Sequence, residues 1–193
     1  MDSKIIFMGI EMKPEASRKF ITNVGLVTSN GPYGNNIMAC EWTHHISYNP
    51  GLIAVCIHPE DTTTKNIQET KVFGLSLCAT DQNVVSSVAG GSSGKEVDKI
   101  AVLKDLGVEF YKAEKIDVLM VKGAALNVEC KLVKEIELGD HITFVGEAVE
   151  VSVSQKEPLA YHNGKYWKMV ESIQKPDQQA RDRIEKLIEK HTK

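Results

Sequence analysis

NNIMACEWTHHISYNPGLIAVCI, running from Asn35 to Ile57, and the HPEDTTTKNI that carries on to Ile67, decide how this chain is read. The order is strand, polar loop, Pro-Gly turn, strand, helix start. The first strand, Ile37 to Trp42, forms a hairpin with Val24-Gly-Leu-Val-Thr-Ser29 across the turn formers Asn30-Gly-Pro-Tyr-Gly-Asn35. Leu52-Ile-Ala-Val-Cys-Ile57 is apolar on both faces, as a strand covered on both sides must be. Asp61 or Thr62 then caps a helix through Glu69, because a short oxygen side chain can accept a free first-turn amide.

Outward from this stretch, Pro14 to Ile21 reads as a short helix with Pro in its first turn. Val72 to Cys78 is a further strand, and Thr80 or Asp81 caps a helix through about Ala89. Leu126-Asn-Val-Glu-Cys-Lys-Leu132 alternates apolar with polar, so one face is expected to meet water or a partner. Ile142 to Val153 is long and β-branched, and its apolar phase shifts around Gly146, which predicts a bulge. From Pro176 the character changes. Ala180, Ile184, Leu187, Ile188 and His191 share one helical face among charged residues, so an amphipathic helix is expected to dock on the body or on another subunit. The chain divides into residues 1–175 and a C-terminal amphipathic helix, 176–193. Strands with helices inserted between them, rather than alternating βαβ units, predict a mainly β protein, an antiparallel barrel with helical additions. No Gly-rich strand-to-helix turn opens the chain, which disfavours a doubly wound nucleotide fold.

Composition narrows the function. Of 193 residues, 42% are hydrophobic and 25% charged, as in a core-forming globule. A net charge of -3 offers no broad basic surface for nucleic acid. No apolar run approaches a membrane span, and Ile5-Ile-Phe-Met-Gly-Ile10 is too short for a signal-peptide core, so a cytoplasmic protein is expected. Cys40, Cys56, Cys78 and Cys130 are far apart and form no C-x-x-C pair, which argues against a zinc ribbon and for buried, reduced thiols. His44-His45 does not suggest a metal site, since neighbours on a strand face opposite ways; the pair reads as loop or interface.

Two segments suit an anion. Thr62-Thr63-Thr64-Lys65 combines first-turn amides, hydroxyl donors and an ammonium at a helix start; the bland alternative is a capped surface helix. Ala89-Gly-Gly-Ser-Ser-Gly-Lys95 is not a P-loop, because Ala89 and Glu96 occupy its diagnostic positions. Gly90-x-Ser92-x-Gly94, with Asp98 and His141 following, fits a nucleophile elbow in letters only. The elbow needs a strand before Ser92, and Val84 to Ala89 reads as a helix end. A flexible Gly/Ser loop and an anion cradle of Gly amides, Ser hydroxyls and Lys95 both remain.

The order of motifs is more specific than any one of them. Asn36-x-Met38 before the Pro turn, Thr63-Thr-Lys-Asn-Ile67, Ser93-Gly94-Lys95 with Asp98-Lys99, Gly139-Asp140-His141, and the closing Tyr161-His162-Asn-Gly164-Lys-Tyr166 resemble the flavin reductase-like family of FMN-binding split barrels, over about Lys19 to Val170. The resemblance implies a Greek-key split β-barrel with one FMN per subunit. It implies that Asn36, Ile37, Met38, Ala39 and Cys40 lie along the flavin ring. Thr62, Thr63, Thr64, Lys65 and Asn66 would hold the phosphate, and Ser93, Gly94, Lys95 and Asp98 would lie near the cofactor. His141 is the catalytic candidate, with a hydrogen-bonded strand-start histidine as the alternative. Many relatives have Thr and Ser where this chain has Ala39 and Glu41, and Glu41 is expected to point away from the site. The closing hairpin around His162 would be structural, its tip bordering the nicotinamide or partner pocket. The resemblance further implies a homodimer, for which Leu126 to Leu132 and the C-terminal helix are candidate contacts. NAD(P)H would be the hydride donor, and free flavin, a metal complex or a protein the acceptor. The alternative is a flavoredoxin-like carrier fed by a partner protein without NAD(P)H. A cofactor-free or haem-handling barrel is the reading from a different class.

Overall fold

The computed structural model describes residues 9–192. Most of the apolar stretch Ile5 to Ile10 lies outside them. The first half of the chain runs α1 (Pro14–Ser17), β1 (Ile21–Asn23), β2 (Gly25–Ser29), β3 (Asn36–Cys40), β4 (Thr43–Tyr48), β5 (Gly51–Ile57), α2 (Thr62–Thr70) and β6 (Val72–Leu77). The second half adds α3 (Asn83–Gly91), α4 (Lys99–Asp105), β7 (Phe110–Lys112), β8 (Leu119–Val121), β9 (Leu126–Leu138), β10 (His141–Val153), β11 (Ala160–His162), β12 (Lys165–Trp167) and α5 (Gln178–Lys190).

Seven strands form one antiparallel sheet in the order β3-β2-β6-β9-β10-β5-β4. It coils on itself into a Greek-key split barrel. At the split, no ladder joins β3 to β5 among the described residues, but Cys40 Sγ lies 3.4 Å from the Cys56 carbonyl and Cys56 N donates to Trp42 O at 3.0 Å. Val27, Val55, Phe73, Cys130 and Phe144 fill the interior. A second core, with Leu26, Ile37, Val85, Ala89 and Leu103, lies between the outer face of β2 and β3 and the helices α3 and α4. Strands β2 and β3 are therefore covered on both sides, and all of β2 is buried.

The expected bulge is present: the register of β10 against β9 shifts between Val145 and Gly146. A Cβ at Gly146 would stand 2.6 Å from the Phe73 ring, so the aromatic side chain packs against the glycine where no side chain fits. The closing hairpin is β11–β12, which pairs with β1.

Several expectations need correction. The helix expected over Pro14 to Ile21 is the single turn α1, and Ile21 already belongs to β1, drawn into pairing with β11. The strand expected to reach Trp42 ends at Cys40. The polar loop with His44-His45 is the edge strand β4; it reads as polar because it is mostly exposed, yet its backbone pairs with β5 across the Asn49-Pro50 turn. Asp61 is the N-cap residue of α2 but makes no side-chain cap bond. Helix α3 begins at Asn83, not after Thr80 or Asp81; Asp81 instead accepts from Lys156 Nζ at 2.7 Å. The polar face of β9 does not meet water or a partner at Asn127 and Glu129, which are buried. Segment 113–121 folds over them: Glu129 accepts from Glu114 N at 2.8 Å and Lys115 N at 2.7 Å. Helix α5 has its expected apolar face, capped by Asp177 on Ala180 N, but none of its residues is buried.

Candidate functional site

Strand β3, the start of α2 and the loop after α3 converge at one edge of the split. Asn36 is buried, and its Nδ2 donates to Thr63 Oγ1 at 2.8 Å, which ties β3 to the first turn of α2. Gly94 closes the third side. A Cβ there would sit 2.5 Å from Asn36 Oδ1 and 3.1 Å from Thr62 Oγ1, so only a hydrogen fits. Between these segments lies a cleft of about 200 Å³ lined by Met38, Ala39, Asp61, Thr62, Thr63 and Lys99, among others.

Lys99 sets the character of this cleft. The residue is 4% exposed, and its Nζ donates to the Ala89 carbonyl at the end of α3 at 3.0 Å. It forms no ion pair among the described residues. Burial pushes its pKa down, and the charge of Asp61 opposes that shift. The ammonium has the Ala89 carbonyl as its hydrogen-bond partner and the Asp61 carboxylate in the same cleft without an ion pair, whereas a buried charge is normally paired. Thr62 and Thr63, at the start of the nine-residue helix α2, line the same cleft, and hydroxyls, a helix start and an ammonium are groups that suit an anion.

The expected site residues divide into groups. Asn36, Met38, Ala39, Thr62, Thr63, Ser93 and Gly94 line the cleft. Ile37 and Cys40 do not: Ile37 is buried in the helix-side core, and Cys40 points its thiol at the carbonyls of Trp42 and Cys56. Burial pushes the Cys40 thiol up to about 12, which keeps it neutral. Thr64 donates to His58 O at 2.8 Å and serves the turn. Asn66 is spent on the β2–β3 connection, donating to Ser29 Oγ at 3.1 Å and Gly34 O at 2.9 Å while accepting from Tyr33 N at 3.1 Å. Lys65 is exposed and outside the cleft lining. Lys95 and Asp98 line a neighbouring cavity of about 450 Å³, and Asp98 caps α4 through Ala101 N.

His141 lies apart from the cleft. Its Nδ1 is 2.7 Å from Asp140 Oδ1, and its ring is 4.6 Å from that of Trp42 and 5.9 Å from that of His58. The hydrogen bond from His141 holds the Asp140 carboxyl below its usual range. No group of three His, Cys, Asp or Glu among the described residues is placed to hold a metal. The helical segment before Ser92 removes the nucleophile elbow, which requires a strand there.

Sequence reasoning missed Lys99 as a site residue, although Asp98-Lys99 is part of the matched motif. The available signal was its place beside Ile100 and Leu103 in Lys99-Ile-Ala-Val-Leu-Lys-Asp105, on the buried side of α4. It also missed a second cavity of about 430 Å³ that shares Ala39 and Gly90 with the cleft. Asn23, Ser86, Tyr161 and Tyr166 line it, brought together from β1, α3 and the closing hairpin. Glu41 is absent from the lining of the cleft and belongs to the lining of this second cavity.

Comparison with known proteins agrees with this architecture. A model of the flavin reductase like domain matches residues 17–169. A ferric-chelate reductase (NAD(P)H) of Archaeoglobus fulgidus is 31% identical over 154 residues, 78% of this chain and 87% of that protein. The solved flavoredoxin from Methanosarcina acetivorans superposes with a TM-score of 0.74 at 20% identity, covering 94% of this chain and 99% of that one. The NADH:FAD oxidoreductase of Streptomyces globisporus gives a TM-score of 0.74 at 18% identity, over 89% and 100%. The last two likenesses are likenesses of fold.

Proposed function

The chain belongs to the flavin reductase like family, and on that premise we propose that it is an oxidoreductase that binds FMN, takes a hydride from NAD(P)H and passes the electrons to free flavin, a metal complex or a protein acceptor. The observation that carries the reading is the buried, unpaired Lys99 facing two threonine hydroxyls and a helix start. This donor set fits a phosphate monoester. FMN, when bound, supplies a ring that accepts hydride.

In this reading Thr62, Thr63 and the first amides of α2 bind the phosphate, and Lys99 neutralises it. Asn36 positions Thr63 through their shared hydrogen bond. Met38 and Ala39, half-buried on an edge strand, offer flat contact and backbone groups to the ring. Ser93 and Gly94 close the cleft, while Lys95 sits at its outer side. His141 is a shaping residue, held by Asp140 and packed near Trp42. The exposed Trp42, Ile46 and Tyr48 near the sheet edge and Ile184, Leu187 and Ile188 on α5 support a homodimer. The four free cysteines suit a reducing cytoplasm. No helix among the described residues is long and apolar enough to cross a membrane.

The test is an absorption spectrum of the purified protein, identification of the released chromophore by mass, and rapid mixing with NADH and NADPH. Flavin bands, a mass for FMN and bleaching by either nucleotide support the proposal. A mass for FAD corrects the cofactor. A bound flavin that neither nucleotide bleaches removes the reductase and leaves a carrier fed by a partner protein. A colourless protein that takes up no added flavin sinks the reading.

A further inference from the structure

The charged side chains that line the anion cleft are Lys99 and Asp61, of opposite sign. Lys99 opens α4, and Asp61 is the residue before α2. Asp61 stands at the N-cap position, where a carboxylate ordinarily accepts from the amides of the next turn. Here it makes no such bond, and it forms no ion pair among the described residues. The backbone around it is fixed: Asp61 N donates to His58 O at 3.1 Å, and Asp61 O accepts from Lys65 N at 3.4 Å. Asp61 is half-buried, and its charge reaches two buried groups. It favours the ammonium of Lys99 and disfavours the thiolate of Cys40. The cleft thus carries a negative charge of its own, left over from a helix cap that is not made.

We infer that Asp61 is the resident counter-charge of this cleft and makes it favour a phosphate with one negative charge, by penalising a second. Lys99 supplies one positive charge and Asp61 offsets it, so the lining of the empty cleft is neutral overall. A singly charged phosphate leaves one uncompensated charge there, and a doubly charged one leaves two. Each is costly where water is partly excluded. The favoured class is a phosphodiester, a phosphoanhydride, or a monoester that keeps one proton. A free monoester near neutral pH carries about 1.5–2 negative charges and meets the full penalty. That the phosphate belongs to a flavin rests on the proposed function; the opposition of Asp61 to a second charge does not.

The test is the D61N variant, since Asn serves an N-cap as well as Asp and leaves the shape of the loop unchanged. Repulsion by one fixed charge is proportional to the charge of the ligand, so its removal should act twice as strongly on log Kd for a dianion as for a monoanion. Flavin-free, full-length wild type and D61N are titrated at about pH 7.5, above the second phosphate pKa of about 6. The ligands are FMN, its methyl phosphodiester, which carries one charge, and riboflavin, which carries none. For a half-buried carboxylate, D61N is expected to tighten the diester about threefold and FMN about tenfold. Riboflavin should not change. Sulfate, a dianion without a flavin, is titrated on both proteins at constant ionic strength and read from the urea midpoint; D61N should bind it about tenfold more tightly. No change in D61N, or one equal factor for all three flavins, overturns the inference. Flavins that bind both proteins alike keep the flavin reading and remove the role of Asp61. A sulfate response in D61N without binding of any flavin does the reverse. No binding of sulfate or of any flavin to either protein overturns both.

Discussion

Replacing Lys99 with Met removes one positive charge from the cleft and keeps a buried stem of similar volume. In the native protein the residue is 4% exposed and its ammonium is bonded only to the Ala89 carbonyl at 3.0 Å. If a phosphate completes it, the variant loses a hydrogen bond between charged partners, worth about 1.5–3 kcal/mol. That is roughly a ten- to hundredfold rise in the Kd for FMN. Riboflavin has no phosphate, so its Kd should not change. Lys65→Ala is the control: an exposed lysine contributes about 0–1 kcal/mol, at most about a fivefold change. Proton linkage gives an independent signature. Burial lowers the pKa of Lys99 in the folded protein without ligand, so between the folded and unfolded pKa values the unfolded chain binds more protons. The stability of the flavin-free protein therefore rises as pH climbs through the folded pKa and levels off at the unfolded one. Phosphate favours the charged form, so FMN affinity is full below the folded pKa and falls as pH rises through it. Lys99→Met should remove both slopes. The assay is fluorescence titration of flavin-free protein with FMN and riboflavin from neutral to alkaline pH, with urea unfolding over the same range. Equal losses for the two flavins, or a larger loss in Lys65→Ala, would refute the assignment.

Four further outcomes are expected. Asn66→Ala strands the groups that Asn66 bonds around the β2–β3 connection and should cost about 2–4 kcal/mol, read from urea unfolding; a loss under about 0.5 kcal/mol contradicts the role given to it. Gly146→Ala forces a Cβ to 2.6 Å from Phe73 and 2.7 Å from the Cβ of Cys130 and should destabilise by about 1–3 kcal/mol, with an unchanged melting temperature as the contrary result. Burial pushes the thiols of Cys40, Cys78 and Cys130 up to about 12, so they stay protonated and iodoacetamide at about pH 8 should label at most Cys56 in the folded protein. Intact mass reads this, and more than one label before denaturant is added counts against it. Deleting residues 177–193 removes no side chain that is buried among the described residues, so the melting temperature should move little; sedimentation of the same variant tests whether α5 joins two subunits.

Much of the barrel was legible because its signals are local. Val72 to Leu77 and Gly51 to Ile57 carry continuous apolar runs, and the slipped phase at Gly146 marked the bulge. The site was legible in part. The cleft assembles Asn36, Thr62, Thr63 and Gly94 as the motif order implied, but chemistry at a matching position did not reveal which side chains were free. Asn66 matches the motif, yet its polar atoms are consumed by the β2–β3 connection.

The sequence by itself determined most of the barrel strands and the helices α2, α3 and α5, though not β1, β4, β7, β8 or α4, and that Thr-rich and Gly-rich segments could receive an anion. Periodicity and backbone preference are properties of neighbouring residues. Only the tertiary structure decided what lies beyond each face. Alternation along Leu126 to Leu132 marks two environments but does not say that the polar one is dry. Glu129 is buried because Glu114 and Lys115, in a segment folded back over it, bring their amides to its carboxylate. Lys65 and Lys99 both stand in the first turn of a helix, with the same charge and reach. One is exposed and the other faces the cleft because α4 packs Ile100 and Leu103 into the helix-side core and takes Lys99 in with them. Burial is set by the packing of distant segments, and no local window of sequence contains it.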